Sequence, residues 1–407
     1  PMSVFIFLAA LVGGMLFGAI PGVNMLTLAA IFLPFSGMLS ASDAIMFYSV
    51  LYCSGTYGGA VTAILFNIPG APENAPTAFD GYPLAKKGMA GKAIGAAVIC
   101  SSFGGTCSVI LMIVATPILA DWAIRNFGPP EIFSLVFFGI AVASSVGAKT
   151  LWKGWLSVAF GLMLATVGLD PVAGIQRYDF DYTYLLAGIH FIPMILGFFA
   201  VAEVFVQAER RVRGRFDMPK FSNAFPSLAE FWKLKIAVVR SVGLGFFAGI
   251  LPGIGAILAA FLSYNEAVRW SKTPEKFGTG ELEGVVASET ANNAATGAAM
   301  IPLLALGLPG GSLTAMMVGV FQMHDMEPGP LVFINSAELV WVVFAAMFFA
   351  NISILILGVL ETKTVMHLLR IPFQYLAPAI LLLSTVGAYA VRNLAMDVVV
   401  MFAAGAI

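Results

Sequence analysis

Charged side chains are scarce in this sequence. They make up 11% of its 407 residues, whereas 59% are hydrophobic and the mean hydropathy is +0.93. A soluble globule of this length would need many more polar side chains to cover its surface. The composition therefore excludes a soluble protein and predicts a polytopic protein of the lipid bilayer. The formal net charge of −1 gives no reason to expect a nucleic-acid partner.

Histidine and cysteine are also rare, with three of each. The cysteines lie in apolar runs without a CxxC pair, which favours packing over metal or redox chemistry. No HExxH zinc motif, Walker A lysine or GxSxG serine motif occurs. We therefore expect neither an enzyme nor a bound cofactor. The residues concerned are Cys53, Cys100, Cys107, His190, His324 and His367.

Uncharged runs long enough to cross the roughly 30 Å hydrocarbon layer recur along the chain. They are apolar on every face, which favours α-helices over the alternating strands of a membrane barrel. The predicted fold class is an all-α polytopic membrane protein. The runs are Ala93–Ala120, Ile132–Ala148, Tyr182–Ala202, Ser241–Asn265, Thr290–Met323, Leu339–Leu360 and Ile371–Val391.

Basic residues mark the cytoplasmic side of a membrane protein. Eight of them cluster between Arg210 and Arg240, which predicts a cytoplasmic linker at 209–235 between a first membrane repeat, 1–208, and a second, 236–407. Asp80–Lys87 is expected on the same face. This wiring places eighteen of the 21 basic residues inside. We also expect the natural protein to continue beyond Ile407 by at least one span, because the second half has fewer crossings than the first.

Matching segments indicate an internal repeat. "GAIPGVNMLTLAAIFL" from Gly18 matches "GILPGIGAILAAFLSY" from Gly249, and "ILFNIPGAPENAPTA" from Ile64 matches "LALGLPGGSLTA" from Leu304. Each half thus has an early and a late Pro-Gly pair. The loop after the first late pair is basic and the loop after the second is acidic, so we predict two inverted-topology repeats with broken or re-entrant helices. Simple kinks in packed helices are the alternative.

Short polar residues collect around the late Pro-Gly pairs. They can hydrogen-bond a carboxylate or offer oxygen atoms to Na⁺, and the helix ends exposed by a break add backbone donors for an anion. Their alternative role is to join neighbouring helices. The predicted substrate-binding residues are Ser54, Thr56, Tyr57, Asn67, Pro69, Gly70, Asn292, Asn293, Pro309, Gly310 and Ser312.

Glu289 is an acidic residue within an apolar segment. Such a group is costly unless it is paired, protonated or in contact with water. We predict a site for a coupling ion, Na⁺ or H⁺, around it and at the early breaks, whereas a solvated position near the membrane surface is the alternative. The predicted ion-coupling residues are Pro21, Gly22, Pro252, Gly253, Glu289 and Thr296.

Two long stretches resemble the large membrane subunit of the tripartite tricarboxylate transporter family. They are "NIPGAPENAPTAFDGYPLAKKGMAGKAIGAA", preceded by "YGGA", and "GILPGIGAILAAFLSYNEAVRWSKTPEKFGTGELEGVVASETANNAATGAAMIPLLALGLPG". The resemblance covers nearly the whole chain. It points to the breaks at Pro69-Gly70 and Pro309-Gly310 and to Asn292 and Asn293. Glu73 departs from the small or hydroxyl residue expected after the first late break.

The resemblance also implies a function. It implies a secondary active transporter subunit of the bacterial inner membrane that imports small carboxylates, similar to tricarboxylates or dicarboxylates, by cation symport. It further implies two partners, a periplasmic solute-binding protein and a small membrane subunit.

Two other classes of function stay open at this point. A membrane-embedded enzyme acting on lipid or peptide would use Glu289 and the asparagines as catalytic groups, but the sequence offers no nucleophile with a matched base. A passive channel would not need two matched sets of helix breaks.

Overall fold

The computed structural model describes residues 2–20, 23–146, 151–170, 174–210, 225–253, 255–368 and 373–407. Within these ranges the chain is almost entirely helical, which confirms the predicted all-α class. The described strands are β1, Gly168–Leu169, and β2, Gln176–Arg177, which form one antiparallel pair.

The described α-helices are, in chain order, α1 Met2–Ala19, α2 Met25–Ser36, α3 Ala41–Phe66, α4 Ala75–Lys86, α5 Ala90–Asn126, α6 Pro129–Val146, α7 Leu151–Ala165, α8 Thr183–Leu186, α9 Phe191–Ile195, α10 Ala202–Arg210, α11 Leu228–Ile250, α12 Gly255–Trp270, α13 Leu282–Leu306, α14 Ser312–Met323, α15 Val332–Asn335, α16 Ala337–Leu368, α17 Phe373–Arg392 and α18 Ala395–Ala406. Single 3₁₀ turns lie at Pro72–Asn74 and Pro274–Lys276, and π-helical geometry at Leu196–Val201 joins α9 to α10.

Several helices have the length and composition of membrane spans. In the part of the chain that the structure describes, six helical segments meet both criteria. This finding confirms the expectation of a polytopic membrane protein. The segments are Met2–Ala19, Ala41–Phe66, Ala90–Asn126, Phe191–Glu209, Ala337–Gly358 and Gln374–Arg392.

The predicted helix interruptions are present at all three described Pro-Gly pairs. Proline removes a backbone donor and glycine tolerates conformations that end a helix, so the two together stop α-helical hydrogen bonding. Pro21 and Gly22 lie outside the described residues, between the end of α1 and the start of α2. Pro69-Gly70 lies between α3 and α4, Pro252-Gly253 between α11 and α12, and Pro309-Gly310 between α13 and α14.

In the first half the late break packs against the end of α1, and in the second half it packs against the start of α12. A Cβ atom at Gly70 would lie 2.2 Å from the carbonyl oxygen of Gly18, so only glycine allows this approach. In the second half a Cβ at Gly255 would lie 3.1 Å from the carbonyl oxygen of Gly310. The late break of each half therefore lies beside a helix end that borders the early Pro-Gly pair. The inverted relation between the halves stays a prediction.

The run Tyr182–Ala202 was expected to form one helix and is interrupted instead. The short α8 ends before Gly188, whose φ of 74° suits glycine. His190 then caps α9 by accepting the Ile192 N–H at 3.3 Å. The long apolar helix consequently begins at Phe191.

Contacts divide the chain into two compact units. The larger unit comprises Pro1–Ala29, Gly37–Asn126 and Arg213–Phe373. Helix α13 packs there against α4, α5, α11 and α12. A Cβ at Gly104 of α5 would lie 2.3 Å from the Thr290 carbonyl oxygen. Small residues of this kind let membrane helices approach closely.

The smaller unit comprises Ala30–Ser36, Phe127–Val212 and Gln374–Ile407. Helix α18 packs there against α9 and the π-helical segment. Asp397 is fully buried and accepts a hydrogen bond from the Tyr184 hydroxyl at 2.6 Å. It also forms an ion pair with Arg392, in which Arg392 Nε lies 3.0 Å from Asp397 Oδ2. The buried charge is thus fully paired, which favours a structural role.

Candidate functional site

Helix α13 carries the polar residues that the sequence analysis singled out on one of its faces. Glu289, Asn292, Asn293 and Thr296 follow a spacing of three and four residues, which places their side chains on the same side. Every residue from Gly284 to Ala305 is buried within the protein. The polar face therefore meets other helices instead of lipid, which makes amides tolerable in an apolar helix.

Four neutral groups donate hydrogen bonds to the Glu289 carboxylate. Asn292 Nδ2 lies 3.2 Å and Asn74 Nδ2 3.4 Å from Oε1, and Thr77 Oγ1 donates to the same oxygen. Ser101 Oγ lies 2.9 Å from Oε2. The donors come from α13, α4, α5 and the 3₁₀ turn at Pro72–Asn74. Glu289 is therefore the point at which the first late break, α5 and α13 meet.

No lysine or arginine in the described part of the chain forms an ion pair with Glu289. The carboxylate is fully buried. Its solvation is therefore supplied by dipoles alone. Neutral donors are expected to compensate only part of the cost of burying a full charge, so the arrangement favours a proton or a mobile cation as the missing partner.

The two asparagines of α13 form a hydrogen-bonded chain that leads to Glu289. Asn293 Nδ2 donates to Asn292 Oδ1 at 2.7 Å, and Asn292 Nδ2 donates to Glu289. Asn292 Nδ2 also lies 3.5 Å from the carbonyl oxygen of Glu73. Asn292 and Glu289 thus contact the segment that follows the first late break, although in the chain they precede the second; their role in binding stays a prediction.

Two amide oxygens beside this chain are buried without a donor, Asn293 Oδ1 and Asn74 Oδ1. Buried polar atoms normally have a hydrogen-bond partner. Asn74 Oδ1 occupies the space where a Cβ at Gly59 would be, 2.1 Å away. Unpaired amide oxygens beside a carboxylate are acceptors suited to a hard cation such as Na⁺.

Groups of three or more histidine, cysteine, aspartate or glutamate side chains that could hold a metal ion are absent from the described residues. Any Na⁺ at Glu289 would accordingly rely on amide, hydroxyl and carbonyl oxygens. Such a mixed oxygen set with one carboxylate suits a weakly bound, exchangeable ion.

Three predicted substrate-binding residues of α3 have other partners. Ser54 Oγ donates to the carbonyl oxygens of Val50 at 2.9 Å and Ala10 at 3.2 Å. Thr56 Oγ1 lies 3.8 Å from Met25 Sδ, and Tyr57 hydroxyl donates to the Gly358 carbonyl oxygen at 3.2 Å. These side chains join α3 to α1, α2 and α16. Thr56 still reaches the cluster through its carbonyl oxygen, which accepts Asn74 Nδ2 at 2.9 Å.

The residues at the breaks differ in their surroundings. Asn67 is exposed, has φ 57° and ends α3 through an N–H donated to the Thr62 carbonyl oxygen. Pro69 and Ser312 are also exposed. Thr296 Oγ1 donates to the Asn293 carbonyl oxygen at 2.8 Å. Binding of substrate or ion by these residues stays a prediction.

The other predicted residues lie in the breaks themselves. Gly310 fits closely against α13, since a Cβ there would lie 2.6 Å from the Ala299 carbonyl oxygen. Pro252 is buried and Gly253, with φ 84°, is exposed. Pro21 and Gly22 fall outside the described residues, so the structure gives no contacts for them.

Three donors to Glu289 were missed, namely Asn74, Thr77 and Ser101. A signal for two of them existed, because Asn74 and Thr77 are polar residues three positions apart directly after the Pro69-Gly70 break. Asn74, Thr77 and Ser101 are 215, 212 and 188 residues from Glu289 in the chain, so their convergence on one carboxylate was not visible in any local pattern.

The fold and the polar cluster define a class of protein. It is a helical membrane protein with a buried polar cluster beside interrupted helices. The model of the tripartite tricarboxylate transporter TctA family matches residues 4–407. The chain belongs to this family. It is therefore a multi-pass membrane subunit of a tripartite tricarboxylate transporter, as the motifs predicted.

Two proteins of Agrobacterium vitis are similar to this chain. One, described as an uncharacterized 52.8 kDa protein in the TAR-I ttuC′ 3′ region, is 36% identical over 392 residues, which are 96% of this chain and 78% of that protein. The other, an uncharacterized protein in the TAR-II ttuC′ 3′ region, is 38% identical over 161 residues, 40% of this chain and 66% of that protein. No solved structure matches the chain.

Proposed function

We propose that this chain imports small carboxylates, tricarboxylate-like or dicarboxylate-like organic acids, across the bacterial inner membrane by symport with a cation. A periplasmic solute-binding protein delivers the substrate, and a small membrane subunit completes the transporter. Membership of the tripartite tricarboxylate transporter TctA family supports this division of roles.

The observation that carries the proposal is the surroundings of Glu289. This carboxylate is fully buried, accepts four hydrogen bonds from neutral groups and has no cationic side chain paired with it among the described residues. A cation that travels with the substrate, Na⁺ or H⁺, neutralises Glu289 in each transport cycle. The unpaired oxygens of Asn74 and Asn293 provide further ligands in the case of Na⁺.

Glu73 is a second acidic residue in the turn beside this site. It is 6% exposed, and among the described residues no side chain donates to its carboxyl group. The 3₁₀ turn that holds it packs against α3, α12 and α13. Because an anionic substrate would meet the Glu289 carboxylate, which has its own sign, we propose that the cation binds first and the substrate second.

The substrate carboxylate then binds to amides and to helix ends. Helices α12 and α14 begin after the two breaks of the second half, and the N–H groups of their first turns have no acceptor within the helix itself. Partial positive charge at these ends favours an anion and binds it without a fixed cation. Asn292 and Asn293 supply the amides of this proposed site.

Counterflow in vesicles tests this proposal. The chain is reconstituted with its small membrane subunit, and labelled carboxylates are offered with the binding protein, with and without a Na⁺ or pH gradient. Accumulation against the substrate gradient that requires one of the two cation gradients is expected. Equilibration without accumulation would indicate a channel, and conversion of the substrate would indicate an enzyme.

A further inference from the structure

Asp80 is another fully buried carboxylate of the larger unit. It is not one of the predicted site residues. Its Oδ1 accepts the backbone N–H groups of Gly278, Gly280 and Glu281, each at 2.8 Å, and its Oδ2 accepts the Tyr264 hydroxyl at 2.8 Å. No ion pair to Asp80 occurs in the described ranges of the chain. Four hydrogen bonds to one charged group make a strong and directional attachment.

The loop that holds Asp80 is shaped for this contact. Gly278 and Gly280 have φ values of 80° and 107°, which glycine adopts readily and other residues do not. A Cβ at Gly284 would lie 2.3 Å from Asp80 Oδ2, so a larger residue there would collide with the carboxylate. Lys87 strengthens the attachment, because its Nζ donates to the Thr279 carbonyl oxygen at 2.7 Å.

Helix α4 connects this loop directly to Glu289. Thr77 and Asp80 are three residues apart, on one face of α4. Thr77 donates to Glu289 and lies 3.0 Å from Ser288 Oγ, whereas Asp80 binds the residues that lead into α13. The short helix is therefore fixed to α13 at two levels, one of which is the carboxylate that we propose for ion coupling.

We propose that Asp80 is a positioning residue for Glu289, and that Asp80, Tyr264 and residues 278–281 form a clasp that closes access to Glu289. The role of the clasp in transport rests on the proposed function of Glu289. Release of Asp80 frees α4 and removes the Thr77 donor from Glu289. Cation binding at Glu289 and closure of the clasp therefore favour each other.

The predicted topology gives the clasp a side of the membrane. Asp80–Lys87 and the loop around Lys276 both belong to the face that carries most basic residues. The clasp consequently lies between Glu289 and the cytoplasm, where a symporter must open to release its cargo. A purely structural attachment of α4 to α13 would use the same contacts but would not respond to the cation.

Labelling of Cys100 tests the clasp without any need for transport. Cys100 is buried, directly precedes the Glu289 ligand Ser101, and is the only cysteine left after Cys53→Ala and Cys107→Ala. The protein in lipid vesicles is treated with a maleimide at constant ionic strength, in Na⁺ or choline and at two pH values. Asp80→Ala, Asp80→Asn and Tyr264→Phe are compared with the parent.

We expect Asp80→Ala to raise the labelling rate of Cys100 roughly tenfold or more, the effect of losing about 1.4 kcal/mol or more from the closed state. Smaller increases are expected for Tyr264→Phe and for Asp80→Asn, which keeps an acceptor oxygen. The coupling cation, Na⁺ or H⁺, should protect Cys100 in the parent, for H⁺ beyond the loss of thiolate that low pH causes in every variant. This protection should be lost in Asp80→Ala. Tyr48→Phe is the matched control, since its buried hydroxyl donates to the Ala29 carbonyl oxygen, away from the clasp.

Labelling of folded Asp80→Ala at the parent rate, or equal effects of Tyr264→Phe and Tyr48→Phe, would overturn the clasp. If Asp80→Ala does not fold, Asp80→Asn and Tyr264→Phe decide in the same way. Cation-dependent labelling in a protein that transports no carboxylate would uphold the clasp and refute the proposed substrate. Carboxylate transport by a protein whose clasp variants are labelled at the parent rate would uphold the proposed substrate and refute the clasp.

Discussion

The amide groups of Asn292 and Asn293 should matter for affinity because they form one chain of donors that ends on Glu289. Replacing either by alanine removes hydrogen bonds to a charged group or to its ligand, worth about 1.5–3 kcal/mol. We expect the apparent affinity for substrate and cation to weaken roughly tenfold or more. Uptake kinetics in vesicles measures this.

Asn351→Ala is the control for this prediction. Asn351 is an equally buried asparagine of α16, and its Nδ2 donates to the Met347 carbonyl oxygen at 2.8 Å, outside the Glu289 cluster. Its replacement should affect stability more than affinity. If Asn292→Ala and Asn293→Ala insert normally and keep the affinities of the parent, both residues serve helix packing and not binding.

Glu73 should influence which carboxylates are accepted. When it is ionised, Glu73 opposes each additional carboxylate on the substrate, so Glu73→Gln should favour acids with more carboxylates by roughly tenfold relative to acids with fewer. Competition between the two kinds of acid for uptake measures the ratio. Glu275→Gln provides the control, because Glu275 also follows a proline in a 3₁₀ turn but is exposed. An unchanged uptake ratio in Glu73→Gln would show that Glu73 does not influence the choice of substrate.

Single residues were predictable from the sequence where their burial conflicts with their polarity. Glu289, Asn292 and Asn293 interrupt an apolar run and could be selected for that reason alone. Asp80 could not, since it lies in a short segment between Glu73 and Lys86 that is not a long apolar run and looks solvated in the sequence. Its burial depends on backbone N–H groups about 200 residues away in the chain.

At the scale of helices, Asn67 at the end of α3 has two proposed roles, helix termination and substrate binding, which mutations can distinguish. Its φ of 57° is readily adopted by glycine and disfavoured for alanine. Asn67→Gly should therefore preserve stability, whereas Asn67→Ala should lower it by about 1–2 kcal/mol. Thermal unfolding in detergent measures the difference. If the amide also binds substrate, both variants should lose affinity equally.

The start of α11 allows a prediction about pH. Hydrogen bonds from Lys92 and from the Ser227 N–H lower the pKa of Glu230 to about 2, below its ordinary value of 4.5. The ion pair therefore stabilises the fold fully above pH 4.5 and is lost as the pH falls towards 2. Glu230→Gln keeps an acceptor for Ser227 but lacks the ion pair.

The melting temperature of Glu230→Gln should accordingly lie below that of the parent at neutral pH. The difference should shrink as the pH falls from 4.5 towards 2. High salt should also reduce it, because the pair is partly exposed. A difference that is independent of both pH and salt would mean that packing, not the ion pair, is responsible.

Helix boundaries followed the sequence where local chemistry determines them. The breaks at Pro69-Gly70, Pro252-Gly253 and Pro309-Gly310 were predictable because proline and glycine act on their own turn of helix. The break between α8 and α9 was not predicted, because the residues around Gly188 are uncharged and Pro193, in the first turn of α9, was not recognised as the mark of a helix start. There the positive φ of one glycine ends a helix that hydropathy alone would continue.

At the scale of the whole molecule, the topology is open to direct measurement. We expect single cysteines at Lys87 and Arg213 to be labelled from the same, cytoplasmic side of intact cells. Lys87 is exposed, and Arg213 lies outside the described residues. Labelling from opposite sides would contradict the basic-residue assignment and with it the position of the clasp.

Composition was enough to predict an all-α membrane protein, because hydropathy acts on every residue of the chain. Composition could not predict the two compact units, because each unit combines segments that are distant in sequence. The repeat motifs correctly marked the three breaks that the structure describes, and the inverted orientation of the two halves stays a prediction from the charge of the loops.

The cation dependence of uptake in Glu289→Gln tests the central claim most directly. Glutamine keeps the size of Glu289 and removes the charge that the cation neutralises. Glu283→Gln is the matched control on the same helix, since Glu283 is partly exposed and lies 3.8 Å from Arg240. We predict that Glu289→Gln folds but loses cation-driven accumulation, while Glu283→Gln retains it. Accumulation by Glu289→Gln with the cation dependence of the parent would contradict the proposal that Glu289 couples cation and carboxylate.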